Sequence, residues 1–268
     1  MIRESDIREP FLSAWKEADP FDRVRALDGE VFRAVKNRRT LRFEQEGRGY
    51  FIKIHGVSSW REILKNFFQF KMPVLGADNE YHAIRKLEEL GIPTMTVRAY
   101  ARRGRFPDRL ESFLITDEIL DHTSLEDFCR DWAADPPSSP VRHAVIEKLA
   151  ETCSVMHRAG VNHRDCYLCH FLLDRKMFRE EGKVSLLVLD LHRAAIRNRV
   201  PRRLLVKDLA GILFSSMDAG LSVRDILRFR AVYEKNMPLS PALRRAVFRT
   251  AVRLYRKEFG RNSPAVTE

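Results

Sequence analysis

The chain has 268 residues, of which 44% are hydrophobic and 32% are charged, proportions that are typical of a folded, soluble protein and exclude a disordered one. Residues 1–15 contain no continuous apolar segment, and later apolar runs fall far short of the roughly 20 residues of a membrane-spanning helix, so we expect a cytoplasmic protein. The formal net charge of +11 favours an acidic substrate or partner, but it does not choose between nucleic acid, anionic lipid, phosphorylated saccharide and acidic protein.

The first part of the chain has the patterns of β-strands. Over residues 30–54, β-branched and aromatic residues alternate with polar ones, and the glycines within residues 47–49 predict the turn of an antiparallel hairpin. Residues 77–90 carry apolar side chains at helical spacing and predict a helix. Strand patterns return at residues 97–101 and 111–119. We therefore expect an antiparallel sheet with one helix in this part.

The second part of the chain predicts mainly helices. Residues 135–140, with the sequence DPPSSP, predict a loop, and residues 141–160 predict a long amphipathic helix that closes with glycine. Two short strands follow at residues 170–174 and 185–191, separated by a charged turn. The remainder is helical, including residues 241–259, whose apolar stripe lies opposite a row of arginines. The order of elements predicts an α+β protein.

Two residues of the first part suit the binding of phosphate. Lys53 ends a predicted strand, where its ammonium group could reach the α- and β-phosphates of ATP from a sheet. Glu80 follows on the predicted helix, where its carboxylate could pair with Lys53. Taken singly, each signal is weak, because most lysines and glutamates at such places are solvated surface residues.

A stronger signal lies in the second part, in the sequence His163-Arg164-Asp165. It follows a long amphipathic helix and precedes a short strand, which is the context of the kinase catalytic loop. Asp165 could there accept the proton of an acceptor hydroxyl group. Asp190 follows the apolar strand, where a buried charge is costly unless it meets a cation such as magnesium. Order and spacing together predict a phosphoryl-transfer site.

Asp208 has two interpretations at this stage. It opens a predicted helix, so its carboxylate could simply stabilise the first turn of that helix. In kinase-like folds, an aspartate at this place instead bonds to the backbone of the catalytic loop. The sequence leaves both interpretations open.

The cysteines next to Asp165 suggest other kinds of site. Cys166, Cys169 and His170 fit the C-x-x-C-H motif of c-type haem attachment, which we reject because we expect no export. A zinc site formed with His163 lacks a second pair of ligands. We expect free thiols, buried in the core.

The residues that carry these motifs resemble a known family. Residues 29–43, 50–53, 70–94, 163–174 and 186–194 are similar to the bacterial lipopolysaccharide core kinases, the Kdo/WaaP family of the protein-kinase-like superfamily. The resemblance extends over most of the chain, and the segment HRDCYLCHFLLD is its most specific part.

This resemblance implies a bilobal protein-kinase-like fold, with an antiparallel-sheet N-lobe at residues 1–118 and a mainly helical C-lobe at residues 119–268. It implies an ATP-dependent transferase, acting with Mg²⁺, that phosphorylates the first heptose of the lipopolysaccharide inner core. Such an enzyme would be peripheral at the cytoplasmic face of the bacterial inner membrane.

The resemblance places Asp165 at the catalytic position, with Asp190 and His170 at the metal site. The candidate ATP-binding residues are Gly29, Lys53, Glu80, Asp117 and Glu118. Two features depart from protein kinases. A single glycine replaces the glycine-rich loop, so Arg33, Arg38 or Arg39 could cover the phosphates. His170 replaces an asparagine, and because magnesium prefers oxygen ligands, His170 could instead bind a phosphate oxygen or simply pack.

The acceptor and partners are expected to be anionic. Arg193, Arg197 and Arg199 follow Asp190, where kinases receive their acceptor, and we expect them to hold the acidic saccharide-lipid, unless they are simply solvated charges. Residues 60–72 mix bulky apolar and basic side chains, which suits an anionic membrane surface, an acidic protein partner or packing on the N-lobe.

Two alternatives to the heptose kinase are a protein Ser/Thr/Tyr kinase and a basic binding module without catalysis. The first is disfavoured because only residues 191–203 separate Asp190 from the next predicted helix, too few for a long peptide-binding activation segment. Nucleic acid is disfavoured as a partner because the aromatic residues do not form a stacking platform.

Overall fold

A computed structural model describes residues 2–16, 18–35, 37–57 and 76–264. The chain divides into two compact units, residues 1–85 with 95–120 and residues 86–94 with 121–268. The amphipathic segment predicted at residues 60–72 lies outside the described residues. That the two lobes meet after residue 118 stays a prediction.

The first unit is built around one antiparallel sheet with the strand order β1-β5-β6-β4-β3-β2. Its strands are β1 (Ile2–Ile7), β2 (Glu30–Val35), β3 (Arg38–Gln45), β4 (Arg48–His55), β5 (Val97–Arg103) and β6 (Glu111–Asp117). The predicted hairpin forms as β3 and β4, but its turn lies at Glu46 and Gly47, which both have positive φ angles, while Gly49 belongs to β4. A two-residue turn of this kind matches the twist of the strands and favours glycine.

One face of this sheet carries the core of the first unit. Leu41, Phe43, Tyr50 and Ile52 alternate along the hairpin and are buried on this face, as a half-buried strand requires. Short helices from the N-terminal segment, α1 (Phe11–Ala14) and α2 (Pro20–Arg25), cover this face with aromatic side chains. Strand β1 and helices α1 and α2 were not predicted from the sequence.

The opposite face of the sheet receives α3 (Asp78–Glu89), which buries Ala83 and Ile84. The Ser112 hydroxyl on β6 accepts a hydrogen bond of 2.8 Å from the Ala77 amide just before the helix. Tyr81 on α3 stacks on Tyr100 of β5 with ring centroids 3.9 Å apart. These contacts fix the helix that carries Glu80 against the strands.

The second unit is mainly helical. Its helices are α4 (Leu125–Phe128), α5 (Ser139–Arg158), α6 (Arg175–Glu181), α7 (Arg202–Ser215), α8 (Val223–Glu234) and α9 (Pro241–Phe259). Helix α5 packs on α8, and α7 packs on α9. The long helices predicted at residues 141–160 and 241–259 are confirmed as α5 and α9, but the segment predicted as a charged turn before residue 185 contains α6.

The loops of the second unit are connected by short strands. They are β7 (His122–Ser124), β8 (Val161–Asn162), β9 (Phe171–Asp174), β10 (Leu186–Val188) and β11 (Ala195–Ile196). Strands β10, β9 and β7 form one antiparallel sheet, and β11 pairs with β8. The β11–β8 pair brings the chain after Asp190 back beside the segment that leads to Asp165. Among the described helices, none is long and apolar enough to cross a membrane.

Candidate active site

The loop that contains Asp165 is held by a buried carboxylate. Asp208 lies inside α7 and is fully buried. One of its oxygens accepts a hydrogen bond from the His163 amide and the other from the Arg164 amide, both at 2.8 Å. These bonds stabilise the left-handed backbone of Arg164, whose φ angle is 73°. The predicted bond from Asp208 to the catalytic loop is confirmed, and the alternative of a first-turn acid is wrong, because α7 already begins at Arg202.

His163 connects this loop to the segment that carries Asp190. Its Nε2 atom lies 2.8 Å from the Leu189 carbonyl oxygen, which can only accept, so Nε2 carries a proton and donates it. Burial lowers the pKa of His163 below its usual value, so the imidazole is neutral near neutral pH. The buried, neutral side chain of His163 therefore links the two loops through this hydrogen bond.

Asp190 lies two residues beyond β10, in a left-handed backbone conformation with φ 55° and ψ 52°. Its Oδ1 is 2.5 Å from Nδ1 of His192, and its Oδ2 is 3.5 Å from Nε2 of His170. Nδ1 of His170 lies 2.7 Å from the Asp165 carbonyl oxygen and must donate to it. Nε2 is therefore the ring nitrogen of His170 that faces Asp190.

This donor set fits a divalent cation in part. The carboxylate of Asp190 is a suitable magnesium ligand, and Nε2 of His170, 3.5 Å from that carboxylate, offers a second and less preferred one. Magnesium in kinases needs few protein ligands, because phosphate oxygens and water complete its coordination. In the described part of the chain there is no cluster of three or more His, Cys, Asp and Glu side chains suited to a metal, which leaves the zinc alternative without support.

Two cations meet the carboxylate of Asp165. Nη1 of Arg193 is 3.0 Å from each of its oxygens, and Nζ of Lys207 is 3.5 Å from Oδ1. Any further hydrogen-bond donor to Asp165 must therefore displace this guanidinium group or share the carboxylate with it. Arg193, predicted as a substrate-binding residue, thus directly contacts the predicted catalytic base.

The other predicted acceptor-binding residues lie nearby in the sequence but differ in their contacts. Both side chains are exposed, but Arg197 also donates a hydrogen bond of 2.6 Å to the side-chain oxygen of buried Asn162. The pKa of Arg164 is lowered by burial first and then by the charges of Arg193 and Arg197. The loop around Asp165 therefore carries an excess of positive charge.

In the first unit, the structure brings Lys53 and Glu80 together. Nζ of Lys53 lies 2.6 Å from Oε1 of Glu80, which is almost fully buried. No hydrogen-bond partner is found for Oε2 of Glu80 within the described ranges. The register pairs Thr40 with both Arg33 and Lys53, so these three residues share one face of the sheet.

The arginines expected to cover the phosphates lie on different faces of the sheet, because successive side chains of a strand point to opposite faces. Arg38 is two residues from Thr40 and shares the face of Lys53, and burial, followed by the charge of Arg33, lowers its pKa. Arg39 points to the other face, opposite Ile54. Arg33 and Arg38 are thus better placed than Arg39 to face anions together with Lys53.

The remaining predicted ATP-binding residues make contacts within the sheet. Asp117 forms a bidentate ion pair with Arg98 at 2.7 Å, and Glu118 accepts hydrogen bonds of 2.6 and 2.8 Å from Arg42. A Cβ atom on Gly29 would lie 2.1 Å from the Arg42 carbonyl oxygen, so glycine is needed there for close backbone packing. Each residue therefore has a role in the fold, and its part in nucleotide binding stays a prediction.

Three side chains around the loop that contains Asp165 were not predicted from the sequence. Lys207 directly precedes Asp208 in the sequence and contacts Asp165. The only sequence signal for this contact was the position of Lys207 next to Asp208 on the same predicted helix. His157 and Tyr233 extend the buried network, because His157 contacts Asp208 at 3.3 Å and the Tyr233 hydroxyl at 2.7 Å. No local sequence pattern reveals this pairing, since α5 and α8 are distant in the sequence.

The cysteines of this region are free thiols, as expected. Cys129, Cys153 and Cys166 are buried, and Cys169 is half-buried. Burial raises the pKa of Cys129 to about 12, and the pKa of Cys166 is raised by its hydrogen bond with Cys153 and by burial. Thiols in such surroundings are poor nucleophiles and metal ligands.

Comparison with known proteins identifies the family. Residues 22–233 match the model of the lipopolysaccharide kinase (Kdo/WaaP) family. The chain is 48% identical to the lipopolysaccharide core heptose(I) kinase WaaP of Escherichia coli over 85% of this chain and 86% of that protein, and 48% identical to its counterpart from Pseudomonas aeruginosa over 89% and 88%.

A solved structure, WaaP in complex with acyl carrier protein, is similar to the chain with a TM-score of 0.81 and 41% identity. The similarity covers 94% of this chain and all of that one, which confirms the predicted kinase-like fold class. With a family model that spans most of the sequence and relatives that match nearly end to end, the chain belongs to the lipopolysaccharide kinase (Kdo/WaaP) family.

Proposed function

We propose that this kinase transfers the γ-phosphate of ATP to a hydroxyl group of the first heptose in the lipopolysaccharide inner core. The observation that carries the proposal is the Asp165 loop, anchored on buried Asp208 next to Asp190, in a chain that matches heptose(I) kinases over most of its length. A short connection, residues 191–201, separates Asp190 from α7, which favours a saccharide over a protein acceptor.

The chemistry assigns separate tasks to the two units. In the second unit, Asp165 accepts the proton of the heptose hydroxyl as that oxygen attacks the γ-phosphorus. Asp190 and His170 would hold Mg²⁺, which neutralises phosphate charge when bound. In the first unit, Lys53, held by Glu80, binds phosphate oxygens, and Arg33 and Arg38 on the same face add positive charge.

The acceptor is anionic, and the positive charge around Asp165 supports its binding at Arg193, Arg197 and Arg199. Arg199 is exposed, whereas Arg193 must leave Asp165 or share its carboxylate when the hydroxyl arrives. An enzyme with a lipid-linked acceptor would work at the cytoplasmic face of the inner membrane, which is the location that we propose.

Replacement of Asp165 by Asn tests the activity. The amide cannot accept the hydroxyl proton in the same way, so turnover should fall about 10²- to 10⁴-fold. Cells that lack the gene would be complemented with wild-type protein, with D165N, or with D135N as a control in an exposed loop. Mass spectrometry of the inner core should show one heptose phosphate lost only with D165N, and a core that keeps this phosphate would refute the proposal.

An acidic carrier protein is the partner that we propose. Helix α9 exposes Arg245, Arg249, Arg253 and Lys257 at four-residue spacing, which makes one basic stripe. Beside this helix lies a cavity of about 320 Å³, lined largely by apolar side chains that include Leu149, Ile212 and Phe248. The stripe suits an acidic surface, and the cavity suits an acyl group that the carrier brings.

Binding of purified acyl carrier protein tests this partner. Charge reversal by Arg249→Glu should weaken binding about tenfold or more, while Lys176→Glu, on exposed α6, should not. Removal of the acyl group should weaken binding further. Equal affinity of all forms would exclude both the stripe and the cavity as the docking site.

A further inference from the structure

Lys207 contacts the proposed catalytic base, Asp165, and no sequence motif gives this lysine a function. Its Nζ atom lies 3.5 Å from Oδ1 of Asp165, and its side chain is 40% exposed while that of Asp165 is 15% exposed. The next residue, Asp208, holds the backbone of the catalytic loop. The helix therefore presents two neighbouring side chains to the loop, one to its backbone and one to its reactive carboxylate.

The ion pair with Asp165 does not by itself account for Lys207. Asp165 is already paired through both of its oxygens with Arg193, so Lys207 adds a second positive charge to a single carboxylate. Half-exposed ion pairs contribute about 0–1 kcal/mol to stability, which gives the fold little reason to place it there. In and around this loop, the cations Arg164, Arg193, Arg197 and Lys207 outnumber the carboxylates of Asp165, Asp190 and Asp208, and this small excess of positive charge suits an incoming anion.

The catalytic loop itself offers no cation after the base. Between Asp165 and His170 lie Cys166, Tyr167, Leu168 and Cys169, so no Lys or Arg of this segment can face the transferred group. Phosphoryl transfer depends on cations placed at the oxygens of the transferring phosphoryl group. The attacking oxygen must touch both Asp165 and the phosphorus, which places that group within reach of a side chain beside Asp165.

We infer that Lys207 is a further catalytic residue, whose ammonium group binds the transferring phosphoryl group; this inference rests on the proposed function. During transfer, the acceptor oxygen forms a bond to the γ-phosphorus, and its proton passes to Asp165. The bond from that phosphorus to ADP breaks, and its electron pair stays on the ADP oxygen. Lys207 takes no part in the proton transfer and stabilises negative charge on the phosphoryl oxygens.

Steady-state kinetics with ATP and purified inner-core lipopolysaccharide test this role. Lys207→Met removes the charge and keeps the length of the side chain, so kcat should fall about 10²- to 10³-fold while KM for ATP and for acceptor stays within about threefold. Lys207→Arg should restore most of kcat. The matched control is Lys148→Met, which removes a similarly exposed helical lysine paired with Glu151 and should keep wild-type kinetics.

The outcomes separate this role from its alternatives. Wild-type kcat in K207M, or a higher KM for acceptor with unchanged kcat, would overturn the inference, because Lys207 would then be a surface ion pair or only an acceptor contact. A loss of kcat that K207R does not restore would also count against it. If wild-type protein left the heptose unphosphorylated, the proposed function itself would fail, whatever the variants do.

Discussion

At the scale of single residues, the neutral state of His163 makes stability depend on pH. Burial lowers its pKa in the folded protein below the ordinary value of 6.5, so below that pH the unfolded chain binds a proton that the folded chain rejects. The free energy of unfolding should therefore decrease as the pH falls from about 7.5 to about 5.5, by at most about 1.4 kcal/mol per pH unit from this group.

Urea denaturation of two histidine variants measures this contribution. His163→Gln keeps a donor for the Leu189 carbonyl and removes the titration, so the loss of stability toward acid should be smaller than in the wild type. His143 is a half-buried residue of α5, and His143→Gln should keep the wild-type dependence of stability on pH. Identical pH profiles for wild type and H163Q would show that His163 does not resist protonation.

At the scale of elements, the register of α7 against the catalytic loop depends on Asp208. In Asp208→Asn, one oxygen becomes an NH₂ group that faces a backbone N–H donor, which should cost about 1–3 kcal/mol of stability. The loop should shift, and kcat should fall about 10²-fold, because small displacements of a base are costly to rate. Kinetics and urea denaturation of the same variant measure both effects.

A second buried acid provides the control for this variant. Asp225 pairs with Arg142 and caps α8 together with Ser222, and these partners lie outside the loop that contains Asp165. Asp225→Asn should lose stability to a similar extent and keep kcat within about threefold. Loss of kcat in both variants would mean that Asp208 acts only through overall stability.

The helices and strands that could be predicted from the sequence are those whose apolar residues repeat regularly within the element itself. Helices α3, α5 and α9 were predicted because their apolar residues repeat at helical spacing, and the β3–β4 hairpin because its residues alternate. Strand β1 was missed because IRESDI is charged and becomes a strand only by pairing with β5. Helix α6 was missed because it buries no residue and depends on its Asp174 cap.

The same limit applies to the site. The order and spacing of Lys53, Glu80, Asp165 and Asp190 predicted phosphoryl transfer, since each residue follows a recognisable strand or helix. The contacts of Asp165 with Arg193 and Lys207 could not be predicted, because they join residues far apart in the sequence and depend on tertiary packing. The family and its kinase activity, predicted from the resemblance, are confirmed by the comparisons.

At the scale of the whole molecule, the net charge of +11 should act mainly on the encounter with the anionic acceptor. Charges that steer a partner are screened over about 8 Å at physiological salt, so the apparent KM for acceptor should rise with salt while kcat changes little. This general attraction has to be separated from specific contacts of Arg197 and Arg199. The separation requires variants that remove equal charge at different places.

Replacing Arg197 and Arg199 together by Ala should raise KM for lipopolysaccharide about tenfold or more and leave KM for ATP unchanged, because the two residues follow Asp190 in the second unit, whereas the strands predicted to bind the nucleotide belong to the first. Arg197 also donates to buried Asn162, so Arg199→Ala alone is the cleaner test and should give part of the effect. Arg224→Ala removes one exposed charge on α8 and serves as the control. If KM for ATP and acceptor rose equally, or if R224A matched R199A, the arginines after Asp190 would contribute only to net charge.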